Sequence, residues 1–264
     1  MRSAASRLII KSNSEFLKRY HELKQGDVVA CMVNMGIGQE YLLLDLVQRG
    51  IKVFPAPVAQ VASRSKCCQA ELFQRWMHPL TRIVRKRSDM VRLVELYASE
   101  GVEDVITKLD RSDCGLGICK WRSAEDLFSN VVFSSRPPYP FVVQPFIPGC
   151  RDIRVVWIGD MYREAYWRQN SHGFRNNLHF GGSSGEYSLE PLEEAICSAV
   201  MKRGDFPYAH IDLLKTDNGK VFFSEISLFG GLKGALIDDR AAADMRDAVL
   251  KGFLQALERR DDTA

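Results

Sequence analysis

No stretch of this sequence approaches the roughly 18 consecutive apolar residues that a membrane-spanning helix needs, so no transmembrane segment and no membrane partner are predicted. The opening run MRSAASRLIIKSNSEF carries charge and lacks the sustained apolar centre of a secretory signal, which predicts a soluble, cytoplasmic protein. No CxxC pair occurs. The seven cysteines are an odd number and include the adjacent Cys67-Cys68, a pattern that predicts reduced thiols rather than a disulfide framework. No Gly-Lys-Ser/Thr follows a glycine loop, so the P-loop pattern is absent. Blocks of like charge are also missing. The 36 basic residues are interspersed with 33 acidic ones for a net charge of +3, and the densest basic run, Arg82 to Arg87, reads as an exposed strand and loop. No nucleic-acid partner follows from that distribution. Internal repeats and low-complexity tracts are absent too.

What is present is an ordinary globular composition, 46% hydrophobic and 26% charged over 264 residues, enough for one large domain or two or three lobes. Helical and strand patterns alternate. A helix is expected over 14–25 with Ser14 as N-cap, a buried strand over 28–33, a helix ending at Arg49 before Gly50, and a strand over 51–54 closed by Pro55 and Pro57. A helix over 63–76, a strand over 81–85, a helix over 88–100 and strands over 104–109 and 118–121 follow. Ser134, Ser135, Pro137, Pro138 and Pro140 mark 130–139 as a connector. The second half reads as strands over 141–147, 152–158 and 162–169, a polar loop over 170–185, a helix over 189–203, a hairpin around Asn218-Gly219 and a closing helix over 240–260. The pattern predicts an α+β core behind a short α/β lobe.

Three clusters carry chemistry. Lys108 ends a strand and is followed by a loop bearing Gly115 and Gly117, where backbone N–H groups can approach phosphate oxygens beside a point charge; an ordinary strand-loop-strand has the same pattern. Asp212 and Glu225 are equidistant from the Asn218-Gly219 turn, which sets them across from each other on apolar strands. Facing carboxylates in such a setting suit a divalent cation with oxygen ligands, or else they lie on the wet face of the strand pair. Arg168, Arg175, Asn176, Asn177 and His179 lie on or just after a strand and can grip phosphates, or they form a solvated loop. Cys114 reads as a turn filler, and Trp157, Tyr166 and Trp167 read as sheet packing.

The order of these clusters resembles the ATP-grasp superfamily, and within it the RimK-type α-L-glutamate ligases. Gln144-Pro145-Phe146-Ile147 looks like the hinge over adenine, and Arg151-Asp152-Ile153-Arg154-Val155 like the ribose-binding position and its strand. Phe174-Arg175-Asn176-Asn177-Leu178-His179 before Gly181-Gly182 closely resembles that branch's long loop. His210-Ile211-Asp212 and Ser224-Glu225-Ile226-Ser227 fall where the family keeps its metal ligands, and Gly231-Leu232-Lys233-Gly234 echoes the loop that follows. Asp104 to Leu109 and Ser65-Lys66 match the strand and helix that carry nucleotide-binding lysines, so the resemblance spans about 60 to 255.

The resemblance implies an ATP-grasp fold, two α+β lobes (61–140 and 141–264) clamping a nucleotide, preceded by an abbreviated α/β lobe (1–60). It implies ATP with Mg²⁺, or Mn²⁺ in its place. Lys66 and Lys108 would contact phosphates, Gln144, Pro145, Phe146 and Ile147 would meet adenine, and Asp152 would bond ribose. Arg168 and Arg175, with Asn176 and Asn177, would hold the transferring phosphoryl group. Asp212, Glu225 and Ser227 would hold the metal. The implied reaction joins a small-molecule or peptide carboxylate to an amine through an acyl-phosphate, and the resemblance admits a homo-oligomer. Two other readings stay open: an ATP-binding module without turnover, and a kinase on the same fold. Ser227 stands where the family usually has asparagine, and Pro145 replaces an acidic residue and has no N–H.

Overall fold

The computed structural model describes residues 7–34, 36–112, 115–135, 138–170, 173–174, 178 and 181–261, with residues 260 and 261 described by backbone alone. The chain opens with β1 (Ile9–Ile10), α1 (Asn13–Arg19), β2 (Val28–Val29), α2 (Tyr41–Gln48) and β3 (Lys52–Val53). The strands are parallel in the order β1-β2-β3, as α/β crossovers through α1 and α2 require. Leu43 and Leu46 of α2 pack with Ile10, Phe16 and Val29 into one small core. The first helix starts earlier than its periodicity suggested, because Ser12, not Ser14, is the cap: its hydroxyl accepts the Glu15 N–H at 3.2 Å.

Next come α3 (Pro57–Ala62), a helix the pattern did not suggest, and α4 (Lys66–Leu72), shorter than the helix expected over 63–76. Ser65 takes an extended backbone and its hydroxyl accepts the Cys68 N–H at 3.0 Å, which starts a new helix. Pro57, expected to close a strand, instead opens α3, where a missing N–H costs nothing.

A four-stranded antiparallel sheet follows, built from β4 (Arg82–Val84), β5 (Val105–Leu109), β6 (Ile118–Trp121) and β7 (Phe141–Pro145) in the order β4-β7-β5-β6. Helices α5 (Arg87–Ser99) and α6 (Ala124–Phe133) cover one face through Met90, Leu93, Leu127 and Val131. Helix α6 runs into the expected connector; Ser123 caps it by accepting the Asp126 N–H at 3.0 Å.

The larger sheet holds β8 (Arg151–Ile158), β9 (Tyr162–Gln169), β10 (Ser183–Tyr187), β11 (Tyr208–Lys215) and β12 (Val221–Ser227), antiparallel in the order β10-β9-β8-β11-β12. Strand β10 lies partly inside the expected polar loop. Its Ser183-Ser184-Gly185 start has no apolar signal, and Gly185 is there because a Cβ would lie 2.7 Å from the Trp167 indole nitrogen. Alternation divides the sheet faces. Ile153, Val155, Ile211 and Leu213 point into the main core with Phe73 of the α4 region and Ile196 and Val200 of α7 (Pro191–Gly204). Asp152, Arg154, His210 and Asp212 point the other way, into a cavity. The chain closes with α8 (Asp239–Asp261). No described helix is long and apolar enough to cross a membrane.

Two buried glutamines join these parts. The Gln60 amide donates to Pro55 O at 2.8 Å and accepts the Val33 N–H at 2.8 Å, tying the first sheet to α3. The Gln69 amide donates to Ile226 O (2.9 Å) and accepts the Ile226 N–H (3.1 Å), so α4 pairs with β12 as another strand would. Leucine at Gln69 leaves those buried backbone groups unpaired, at about 1–3 kcal/mol each. Gln69→Leu is therefore expected to lower unfolding stability by about 3 kcal/mol in denaturant titration. A loss below about 0.5 kcal/mol would show that the junction is dispensable.

Candidate active site

Register places the polar side chains of the large sheet in rows. Asp152 on β8 faces Arg168 on β9, and Arg154 lies between Tyr166 on β9 and Asp212 on β11. Asp212 is directly opposite Glu225 on β12, as the hairpin predicted, with a bulge just after it. One row further along the strand, His210 faces Ser227. These rows floor a cavity of about 530 Å³.

The small sheet supplies the opposite wall. Ile106 and Lys108 on β5, Ile118 on β6 and Gln144 and Pro145 on β7 line the cavity, with Phe146 and Ile147 just beyond β7. The Lys108 ammonium reaches across to Ser224 of β12, 3.1 Å from Oγ and 3.2 Å from the carbonyl. The Phe146 N–H donates to Asp104 O at 2.9 Å and Pro145 has no N–H, so neither offers a backbone donor to the cavity. Lys120 fixes this segment from outside, 4.0 Å above the Phe146 ring and 2.6 Å from Asp104.

Charge dominates the floor. Arg154 grips Asp212 with a two-pronged fork, Nε to Oδ1 and Nη2 to Oδ2, both 2.8 Å. Arg168, 4% exposed along its side chain, lies 2.7 Å from Asp152 and 2.9 Å from Asp212. Burial pushes the Asp212 carboxyl up, but Arg154 and Arg168 outweigh it and hold it well below the usual carboxylate range. Burial wins at Asp152, whose pKa is raised despite Arg168. Burial also lowers the Lys108 ammonium, against the pull of Glu225. His210 is brought down to about 4, by burial first and then by the Arg154 cation, so its imidazole is neutral at pH 7. Gly230 roofs that ring; a Cβ there would come within 2.8 Å of it.

The structure brings Lys108, Gln144, Pro145, Phe146, Ile147, Asp152, Arg168, Asp212, Glu225 and Ser227 to one cavity. Lys66 sits behind it, donating to Ser112 O and lying 3.4 Å from Glu225. Ser227 turns into its own bend, donating to Phe229 O at 2.6 Å and accepting the Phe229 N–H at 3.3 Å, with the Ser63 hydroxyl 3.3 Å away. Arg175, Asn176, Asn177, His179 and Cys114 lie outside the described residues. Sequence reasoning missed Arg154, although its place two residues after Asp152 on a strand put it on the same face. No group of three or more metal-ligating side chains occurs among the described residues. Asp212 and Glu225 nonetheless fit Mg²⁺, which takes one or two carboxylates and completes its shell with phosphate oxygens and water.

His210 gives the site a pH signature. With a folded pKa near 4 against an ordinary 6.5, the unfolded chain takes the proton first. Stability from this group is present above pH 6.5 and falls as pH drops toward 4, by at most about 3 kcal/mol. The difference in unfolding free energy between wild type and His210→Gln should drift in that direction between pH 7 and 4. A constant difference would show that the ring is not held neutral.

The RimK-like ATP-grasp domain family model matches residues 62–247. A probable alpha-L-glutamate ligase of Trichodesmium erythraeum is 29% identical over 210 residues, 77% of this chain and 68% of that protein. A probable alpha-L-glutamate ligase 2 of Shewanella frigidimarina is 29% identical over 65% of this chain and 57% of its own length. The chain thus spans about three-fifths to two-thirds of these relatives. Among solved structures, the D-Ala:D-Ser ligase of Enterococcus faecalis superposes with a TM-score of 0.60 at 15% identity, covering 85% of this chain and 73% of that one. An ATP-grasp ligase complexed with a phosphomimetic variant of its minimal precursor, Mg and ADP gives 0.55 at 19% identity, covering 80% and 66%. With the family model covering well over half of the sequence and the fold shared with solved ligases, this chain belongs to the RimK-like ATP-grasp family.

Proposed function

We propose that this chain is an ATP-dependent ligase that joins a carboxylate to an amine through an acyl-phosphate. The observation that carries the reading is the pair Asp212 and Glu225, set directly opposite each other on the floor of a cavity whose far wall holds Lys108 and the hinge. In this reading 61–140 and 141–264 are the clamping lobes and 1–60 the lobe before them.

The nucleotide base lies against Ile106, Ile118 and the Gln144–Ile147 hinge, which offers apolar walls. Asp152 accepts from the ribose, and Lys108 holds phosphate oxygens. Asp212 and Glu225, with Ser227 if its bend opens, hold Mg²⁺ or Mn²⁺; a bound cation would neutralise phosphate charge there. Arg168, with Arg175, Asn176 and Asn177, steadies the phosphoryl group during transfer, and Lys66 supports the site from behind Glu225. The acid's carboxylate oxygen attacks the γ-phosphorus and ADP leaves. The neutral amine then attacks the acyl carbon, phosphate departs and the amine loses a proton. The chain's contribution is positioning and charge stabilisation. The naming of the relatives puts L-glutamate first among substrates to test.

A second reading, nucleotide binding without turnover, is favoured by the Ser227 hydroxyl being committed to Phe229. Two measurements separate the possibilities. A non-hydrolysable ATP analogue with Mg²⁺ at about 100 times its dissociation constant should raise unfolding stability by roughly 2.7 kcal/mol, and Asp212→Ala should abolish the magnesium-dependent part. No shift at millimolar nucleotide would overturn the site. Hydroxylamine added to enzyme, ATP and a pool of amino acids and peptides should trap the acyl-phosphate as a hydroxamate. ADP release with a phosphorylated product that resists hydroxylamine would mark a kinase, and binding without ADP release would favour the second reading.

A further inference from the structure

Both prospective metal ligands are already occupied by cations of the chain itself. Each oxygen of Asp212 receives an N–H of Arg154 at 2.8 Å, and Lys66 stands 3.4 Å from Glu225. The two arginines on Asp212 are not equivalent. Arg168 is 4% exposed and has a second carboxylate, Asp152, at 2.7 Å, so it stays compensated without Asp212. Arg154 is 20% exposed, and its other bond is a 3.3 Å contact to the Gly231 carbonyl, in the loop after β12. Asp212 is its one carboxylate partner among the described residues.

A divalent cation bound to Asp212 competes with Arg154 for the same two carboxylate oxygens, and like charges at that spacing repel strongly in a buried site. Arg154 must therefore give way. Its guanidinium lines the cavity, as do His210, Ser227 and Lys233, and its Nη1 already reaches the Gly231 carbonyl of the loop that carries Lys233. The carboxylates of the described cavity wall are Asp152, Asp212 and Glu225. With a cation on Asp212 and Glu225, and with Asp152 held by Arg168, none is left for the freed fork. The matching partner is an incoming planar carboxylate, which a guanidinium binds through two parallel hydrogen bonds.

We propose that Arg154 is an exchangeable counter-ion: it occupies Asp212 until a divalent cation displaces it, and its freed fork then receives an incoming carboxylate, so that cation and carboxylate bind cooperatively. The exchange rests on the reading of Asp212 and Glu225 as cation ligands. It orders events at the site, because the carboxylate pocket is completed only once the metal has arrived. Linkage makes the effect reciprocal, so a carboxylate must tighten metal binding by the same factor as metal tightens the carboxylate.

Manganese binding to the nucleotide-free full chain, followed by electron paramagnetic resonance, tests this without turnover. Wild type, Arg154→Met, Arg154→Lys and Lys233→Met are titrated in sodium chloride and in sodium acetate of equal ionic strength, acetate being the carboxylate probe. Arg154→Met should bind manganese about fivefold or more tighter than wild type in chloride. Arg154→Lys, lacking the fork, should tighten it less, and Lys233→Met, which removes a cation that does not touch Asp212, less still. Acetate should tighten binding to wild type and leave Arg154→Met unchanged. Equal effects of Arg154→Met and Lys233→Met, or weaker binding in Arg154→Met, would overturn the exchange. Should the variants not fold, the ¹⁵Nε–H resonance of Arg154 in wild type is followed during a Mg²⁺ titration. It must move as metal binds, and a fixed resonance overturns the proposal. Absence of manganese binding in every protein removes the cation-site reading and the exchange with it. Binding that ignores Arg154 removes the exchange alone.

Discussion

A carboxylate buried on a sheet face between two guanidinium groups is the constraint on which the rest of this structure depends. Asp212 cannot remain ionised away from water without partners, because desolvating a lone charge costs far more than a domain's net stability. Arg154 and Arg168 supply the compensation, Asp152 balances Arg168, and all four groups are held by strands whose register fixes which side chains meet. Removing one member of such a set strands another charge, which typically costs 3–5 kcal/mol. The opposite face of the same strands buries Ile153, Val155, Ile211 and Leu213, and that apolar packing is what supports a polar floor.

The frame around the floor is arranged to keep groups available to a ligand. Lys108 bridges from the small sheet to Ser224, and Gln69 binds α4 to the backbone beside Glu225, so both sides of the cavity meet at β12. Above it, Gly230 sits on the His210 ring, and Gly234, with φ of 94°, packs where a Cβ would come within 2.9 Å of Leu178. The loop that carries Lys233 is thereby set close to the long loop that begins near Phe174. The hinge is economical in donors, since Phe146 is bonded to Asp104 and Pro145 has none to give.

Much of this was legible in the residues. The Asn218-Gly219 turn, equidistant from Asp212 and Glu225, predicts their pairing, and the structure pairs them; Gly159-Asp160 likewise joins β8 to β9. Helices α5, α7 and α8 lie within about two residues of their expected limits, whereas α1 ends at Arg19, well short of residue 25. What was not legible has local causes. Strand β10 begins Ser-Ser-Gly, and its placement depends on the Trp167 indole of the neighbouring strand, a tertiary contact that no window of sequence contains. Helix α4 starts later than its periodicity suggests because the Ser65 hydroxyl caps it by accepting the Cys68 N–H. Arg154 looked like a strand residue because its partner, Asp212, lies far along the chain, and only the β8–β11 register reveals the pair.

The central claim is that Asp212 and Glu225 share a divalent cation beneath a nucleotide held by Lys108 and the hinge. Crystals grown with ADP and Mn²⁺, measured with anomalous scattering, test it most directly. The account predicts an anomalous peak at about 2–2.2 Å from a carboxylate oxygen of each residue, with the adenine against Ile106 and Ile147. Manganese bound elsewhere, or ADP outside this cavity, would contradict it.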